Sequence, residues 1–436
     1  MAHGVVVVGA GVAGMSAALA LRERGLAPLL IEAEDRAGGK LGTESRRGFL
    51  LERAALGLLD RTGELAELCG KLGLAPSPAS PAASLRFLER DGSIHALPHG
   101  LLGALGTRLL SAREKLALLG EPFRRPSREG STVSEFFAHR LGPGGRFLGD
   151  ALQTGIHAGD PERLELRTAF PTLAALAGAG RGSLLRGALA SRRGKAKGRP
   201  ARLSSFRGGM QDLVDALSRQ TLPQLRARLR VVRPAGAGYR LQVEAGGTAS
   251  EIDAERVILA VPAPRAAEAL EGLDVPLAAR LRELEAAAIT LVHLAVQPED
   301  VALLHRGFGL LRPGRPVLGA LFPAALWPDR APGGQALLTA LVGGARHPQA
   351  GALPDEALVQ LVRDELRLPR PPDLLRVVRW PEAIPQYQPG HGARIAEIER
   401  LTSAHPGLGL TGSWYRGVGV LDCLRDGRKI AEELTK

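Results

Sequence analysis

Gly9, Gly11 and Gly14 stand in the spacing GxGxxG, and an acid, Glu32, follows 18 residues after the last of them. Together these residue types serve one chemistry, the holding of a dinucleotide against bare backbone. The first glycine permits a tight turn, the second lets backbone approach a pyrophosphate, and the third lets a helix pack on a strand. The phosphates then rest on the helix N-terminus, and the acid accepts a hydrogen bond from a ribose hydroxyl. Strand, turn, helix and strand must follow in order to position them. Residues 5–8 form a continuous valine run, the pattern of a buried parallel strand. Residues 15–24 read as a helix that stops at Gly25, where a C-cap belongs, and residues 28–31 read as the second strand. GxGxxG alone is a weak signal; the intact order of the unit gives it force.

The remaining composition limits what else the chain can be. It has 436 residues, 45% hydrophobic and 23% charged, enough for two or three folded domains. That excludes a disordered chain, a collagen and a disulfide-stapled miniprotein. The net charge is +12, carried by 50 Arg and only 7 Lys, and Asn is absent altogether. Part of the positive charge is therefore compositional bias. Cys69 and Cys423 lie far apart in no CxxC pair, which fits a reduced cytoplasmic compartment. No HExxH and no nucleophile triad is present, so neither a metal nor side-chain covalent catalysis is expected. The uncharged run at residues 4–21 is broken by glycines and lacks a basic lead, so strand and helix explain it better than a membrane span.

The middle of the chain reads as mostly helical. Ser111 with Glu114 and Thr132 with Glu135 fit capping boxes, and Asp160-Pro161 fits a helix start. Residues 181–207 carry nine basic side chains in a stretch without acids, and residues 194–200 look like a solvated loop. An anionic membrane surface is one reading of this block and a solvated face the other. Nucleic acid is not expected, because aromatics for base stacking are only 4% of the chain. Strands are expected at 229–232, 239–243, 256–262, 290–296, 337–342 and 408–411, with helices at 355–366 and 420–434.

After Glu32 the chain reads EAEDRAGGK, and further on RFLERDGSIHALP, QTGIHAGD, GFGLLRP, LVGGARHP, IPQYQPGH and GSWYRGVGVLDC. The first of these resembles the second fingerprint of the flavin amine oxidase superfamily, and the whole set resembles its protoporphyrinogen oxidase family, which includes bacterial coproporphyrinogen oxidases. The resemblance spans nearly the full length. It implies FAD as cofactor and an α/β fold: a Rossmann-like two-dinucleotide FAD domain, a mixed substrate domain and a helical membrane-binding domain. The division it suggests is 1–80 with 201–265 and 385–436 for FAD, 81–200 for the helical membrane and access part, and 266–384 for substrate. It implies FAD contacts from Arg36, Gly38, Gly39 and Lys40, from Ala54, Ala55, Leu56 and Gly57, from Leu229, and from Ser413, Val418, Gly419 and Val420. It implies substrate contacts from Arg86, matched to a propionate-binding arginine, and from Gly155, Phe308, Leu311 and Leu341.

The implied reaction is oxidation of a porphyrinogen, a tetrapyrrole, to a porphyrin in haem synthesis. A hydride passes from a methylene bridge to flavin, and molecular oxygen restores the flavin. A peripheral site on the cytoplasmic membrane and a monomer or homodimer complete the expectation. The chain also departs from the family pattern. Ala54-Ala55 replace Gly-Pro, Leu421 replaces Asn, and His157 replaces another aromatic residue. Two other readings therefore stay open: an amine oxidase, which would need an aromatic cage, and a flavin- or porphyrin-binding relative without turnover.

Overall fold

A computed structural model describes residues 3–193 and 202–436. The basic stretch expected to loop at 194–200 lies outside the described residues.

Strand His3–Val8 runs at the middle of a six-stranded sheet, parallel to Leu29–Ile31 on one side and to the end of Thr248–Leu259 on the other. Thr248–Leu259 is long enough to pair twice. Its first half closes an antiparallel meander with Gly238–Ala245 and Ala227–Ala235, and its last residues pair in parallel with Leu408–Leu410. The valine run is apolar on both sides because both faces are covered. Val5 and Val7 pack under helices Val12–Glu23, Gln211–Thr221 and Val420–Glu433, while Val6 and Val8 face the helices Ala263–Leu270, Val275–Arg282 and His391–Ser403. The chain's first and last segments therefore share one sheet.

A seven-stranded sheet follows the order 373–385, 286–296, 336–343, 317–321, 309–311, 86–90, 93–96. Helix Asp355–Leu366 covers one face through Leu358 and Val362, packed on Val292, Leu338 and Ala340. The opposite face presents Ile289, Leu291, Leu341 and Trp380. The seven-strand order corrects the expected division at residue 81. Arg86–Arg90 and Ser93–Ala96 are not part of the helical region; they pair, the first of them in parallel with Gly309–Leu311, at the edge of this sheet. A parallel partner more than two hundred residues away leaves no local signal.

The helical region comprises Gly100–Gly106, Ala112–Leu119, Val133–Leu141, Gly145–Ile156, Leu166–Ala169, Pro171–Ala179 and Leu184–Arg193. Both expected capping boxes form, at Ser111/Glu114 and Thr132/Glu135. Asp160-Pro161 does not start a helix. The Asp160 carboxylate accepts from the Glu162 amide at 3.0 Å and closes a turn instead, the common alternative use of Asp before such a donor. Both cysteines are buried and free. Among the described residues no helix is long and apolar enough to cross a membrane, and no cluster of metal-ligating side chains occurs.

Candidate functional site: a dinucleotide cradle opening onto an apolar wall

The three glycines of the first turn differ in what a side chain would meet. Gly9 has φ +98°, and a Cβ there would lie 2.7 Å from the Ala260 carbonyl oxygen. A Cβ on Gly14 would lie 1.9 Å from the Gly9 oxygen, so helix and strand could not pack. A Cβ on Gly11 would meet no protein atom within 4 Å, because it would point into a cavity. Gly11 is also the N-cap of helix Val12–Glu23, and no side chain caps it. That leaves the first-turn amides and the positive end of the helix dipole for an anion.

The cavity is about 940 Å³. Gly9 and Gly11 line it, with Gly14 behind them in the helix. Glu32 lines it at the end of the second strand. Its carboxylate accepts from the Ala10 amide at 2.7 Å and the Glu34 amide at 3.0 Å, which fixes its direction and leaves oxygen lone pairs for a hydroxyl donor. Arg36 donates to the backbone oxygens of Ala37, Leu41 and Gly39, so it shapes the turn that carries Gly38 and Gly39 into the wall. Gly39 comes so close to the glycine turn that a Cβ would be 3.2 Å from the Gly11 Cα. Lys40 lines the cavity and donates to the Ala383 oxygen at 2.6 Å; burial pushes its ammonium down to about 8.

Other expected residues divide. Ala54, Ala55, Leu229, Ser413, Val418 and Val420 line the same cavity, and Gly419 is the N-cap between the last two. Leu56 and Gly57 do not line it. Leu56 packs with Leu326 and Trp327, and a Cβ on Gly57 would press on the Ser204 oxygen at 2.5 Å. On the substrate side, Gly155 and Leu341 line the cavity. Leu311 fills in behind Gly155 with Leu88 and Phe147. Arg86 and Phe308 are absent from the lining, and the Arg86 guanidinium lies over the Phe308 ring, 5.0 Å from its centroid. His157 is buried, edge-on to Phe170 at 5.2 Å, with Nε2 at 3.0 Å from the Ala169 oxygen. Burial lowers its pKa, so it fills the core as a neutral ring. Leu421 packs against the helices beneath the glycine turn.

Among the lining residues that escaped the sequence reading are Arg53, Trp380 and Cys423. Arg53 lies over the Trp380 ring at 5.7 Å, and Trp380 Nε1 donates to the Arg53 oxygen at 2.7 Å. Cys423 lines the wall with its thiol pushed up to about 12 by burial, and so stays protonated. Trp380 is one of only three tryptophans, a signal worth following, whereas Arg53 was one Arg among fifty.

The cradle fits a dinucleotide on three counts: an open position at Gly11, an uncapped helix N-terminus and an oriented carboxylate at Glu32. Comparisons with known proteins agree. A family model described as flavin-containing amine oxidoreductase matches residues 12–435. A coproporphyrinogen III oxidase of Bacillus subtilis is 28% identical over 99% of this chain and 98% of its own. The human protoporphyrinogen oxidase is 30% identical over 99% of this chain and 98% of its own. A crystal structure assigned as a protoporphyrinogen oxidase from Exiguobacterium superposes with a TM-score of 0.83 at 24% identity, covering 100% of this chain and 99% of that one. The cofactor is a flavin, which the dinucleotide cradle fits as FAD, and the chain is an oxidoreductase. It belongs to the flavin-containing amine oxidoreductase family.

Proposed function

We propose that the chain oxidises protoporphyrinogen IX to protoporphyrin IX, with molecular oxygen as final acceptor. FAD, when bound, would supply the chemistry in three successive two-electron oxidations, each followed by its reoxidation by oxygen. The chain's own residues position the reactants and exclude water. One observation carries the reading: the glycine cradle and the apolar face of the seven-stranded sheet line a single cavity. Ile289, Leu291 and Leu341 offer a wall suited to a flat apolar ring, and Gly155 joins it from the end of helix Gly145–Ile156. Polar groups on such a ligand need few, well-placed partners. Arg86, braced on Phe308, is the guanidinium proposed for a propionate. Lys40 sets a positive charge in the wall at neutral pH.

Oxidation of coproporphyrinogen III is the second reading. Arg53, stacked on Trp380 in the lining, offers a further guanidinium for a substrate with more carboxylates. An approach from a membrane surface is supported by Leu102, Leu116 and Phe123, which are 86%, 68% and 84% exposed on neighbouring helices and turns of the helical region. Large apolar side chains so exposed are suited to an interaction surface.

The deciding experiment is anaerobic addition of protoporphyrinogen IX, and separately coproporphyrinogen III, to the flavin-loaded protein. Bleaching of the flavin band with appearance of porphyrin supports the proposal, and the faster substrate names the reaction. A flavin band that neither compound bleaches overturns it.

A further inference from the structure

Tyr387 lies outside the cavity wall, yet its hydroxyl is committed at both ends of the turn that supplies part of that wall. Oη donates to the Ser413 oxygen at 2.7 Å and accepts from the Gly417 amide at 2.9 Å. Ser413 and Val418 line the cavity; Gly417, between them, has φ +148°. The phenol therefore spans the chord of residues 413–417. The entry to the same turn is fixed from elsewhere: the Asp426 carboxylate accepts from Thr411 Oγ1 at 2.7 Å, from the Gly412 amide at 3.1 Å and from Arg416 Nη1 at 2.8 Å. Asp426 holds the entry and the Arg416 side chain, and Tyr387 ties the backbone of Ser413 to that of Gly417.

Tyr387 is itself held from the other side of the cavity. Its ring is 4% exposed and stacks on His391 at 4.1 Å and 17°. His157 packs against it at 5.8 Å, just after the helix Gly145–Ile156 that carries Gly155 and Ile156 into the wall. The backbone and a neighbouring side chain join in: the Tyr387 backbone oxygen accepts from the Glu165 amide at 2.9 Å, and the Gln386 side-chain Nε2 donates to the His157 backbone oxygen at 3.0 Å. Burial raises the phenol's pKa, so the donor to Ser413 persists at every working pH.

We propose that Tyr387 is a positioning residue for FAD. Its hydroxyl closes residues 413–417 into the shape that meets the cofactor, and its ring and backbone tie that turn to the helix on the substrate side. A preformed turn spares the ordering cost that FAD binding would otherwise bear.

Tyr387→Phe removes one oxygen and keeps the stacked ring. Losing two buried hydrogen bonds weakens FAD binding by about tenfold, read as free FAD in equilibrium with purified holoenzyme by ultrafiltration. The visible circular dichroism of the bound flavin changes with it. His391→Leu keeps the hydroxyl but removes the stacking partner, and about threefold weaker retention is expected. Leu358→Ala, in the core of the other sheet, serves as the control: it lowers thermal stability and leaves FAD affinity and dichroism unchanged. Wild-type affinity and dichroism in both Tyr387→Phe and His391→Leu overturn the proposal, as does an equal loss in Leu358→Ala. Neither readout depends on which substrate the protein oxidises.

Discussion

Arg140 and Glu121 form an ion pair from which solvent is excluded on both sides, with Nε 2.8 Å and Nη2 2.5 Å from Oε1. The same carboxylate accepts from Ser183 Oγ at 2.6 Å and from the Leu184 amide at 2.9 Å, where helix Leu184–Arg193 begins. One acid thus neutralises a buried guanidinium and caps a basic helix. Glu121→Ala strands Arg140 and should cost about 3–5 kcal/mol, measured by urea unfolding; a wild-type midpoint would contradict this. Burial pushes the Glu121 carboxyl up, but hydrogen bonds from Ser183 and Arg140 win and hold it below the usual range. Its contribution is therefore present above the ordinary carboxylate pKa and lost as pH falls through the lowered value.

Gly11 and Gly14 should fail in different ways. Gly11→Val projects into the cavity and leaves the fold intact, so the protein should purify without flavin at near-normal stability of the apoprotein. Gly14→Val drives a side chain into the Gly9 oxygen and should unfold the apoprotein itself. Flavin content and apoprotein melting, read together, separate the two; a yellow Gly11→Val protein would refute the cradle.

Arg86→Ala should raise KM severalfold and leave flavin content alone, because the guanidinium lies over Phe308 and away from the glycine cradle. Steady-state kinetics with either porphyrinogen provide the check. Unchanged KM would remove Arg86 from substrate binding.

Glu52 introduces a dependence on pH of opposite sign to that of Glu121. Burial pushes its carboxyl up from 4.5 to about 7, against hydrogen bonds from Thr43 and the Met210 amide. The folded state therefore holds a proton that the unfolded chain has lost, and stability falls as pH rises from 4.5 to 7. Glu52→Gln should melt above wild type at pH 8, with the gap closing towards pH 5. A gap that does not change with pH would mean that Glu52 is ionised throughout.

Leu102→Asp with Phe123→Asp should abolish binding to anionic vesicles in a flotation assay, and wild-type binding should weaken with salt. Equal flotation of wild type and double variant would return these side chains to ordinary surface.

The cradle was legible in the sequence because Gly9, Gly11, Gly14 and Glu32 lie within one βαβ unit, where each local pattern has a local cause. The same holds for Asp355–Leu366 and for the two capping boxes, which depend on neighbours three or four residues apart. What could not be read depends on distance along the chain. Arg53 meets Trp380 across 327 residues, and Tyr387 reaches Ser413 across 26 through a hydroxyl that no spacing rule anticipates. Arg86–Arg90 and Ser93–Ala96 join a sheet whose other five members begin beyond residue 285. At Ala54 to Gly57 a run of four expected contacts splits in the middle, because the strand Leu58–Asp60 turns Leu56 and Gly57 toward another core.

Helix Val420–Glu433 packs so closely on helix Val12–Glu23 that a Cβ on Gly427 would lie 2.0 Å from the Ala13 oxygen, and Ser16 Oγ donates to the Leu424 oxygen at 2.6 Å. The helix that opens at the glycine turn is thus backed by a helix 408 residues further along the sequence. A ribosome-bound chain that lacks residues 408–433 has an incomplete sheet, only the helix Gln211–Thr221 beside its first helix and no wall at residues 412–423. Firm cofactor capture then has to wait until residues 408–433 have joined the sheet and the first helix, and a yellow colour reports that these distant segments have met.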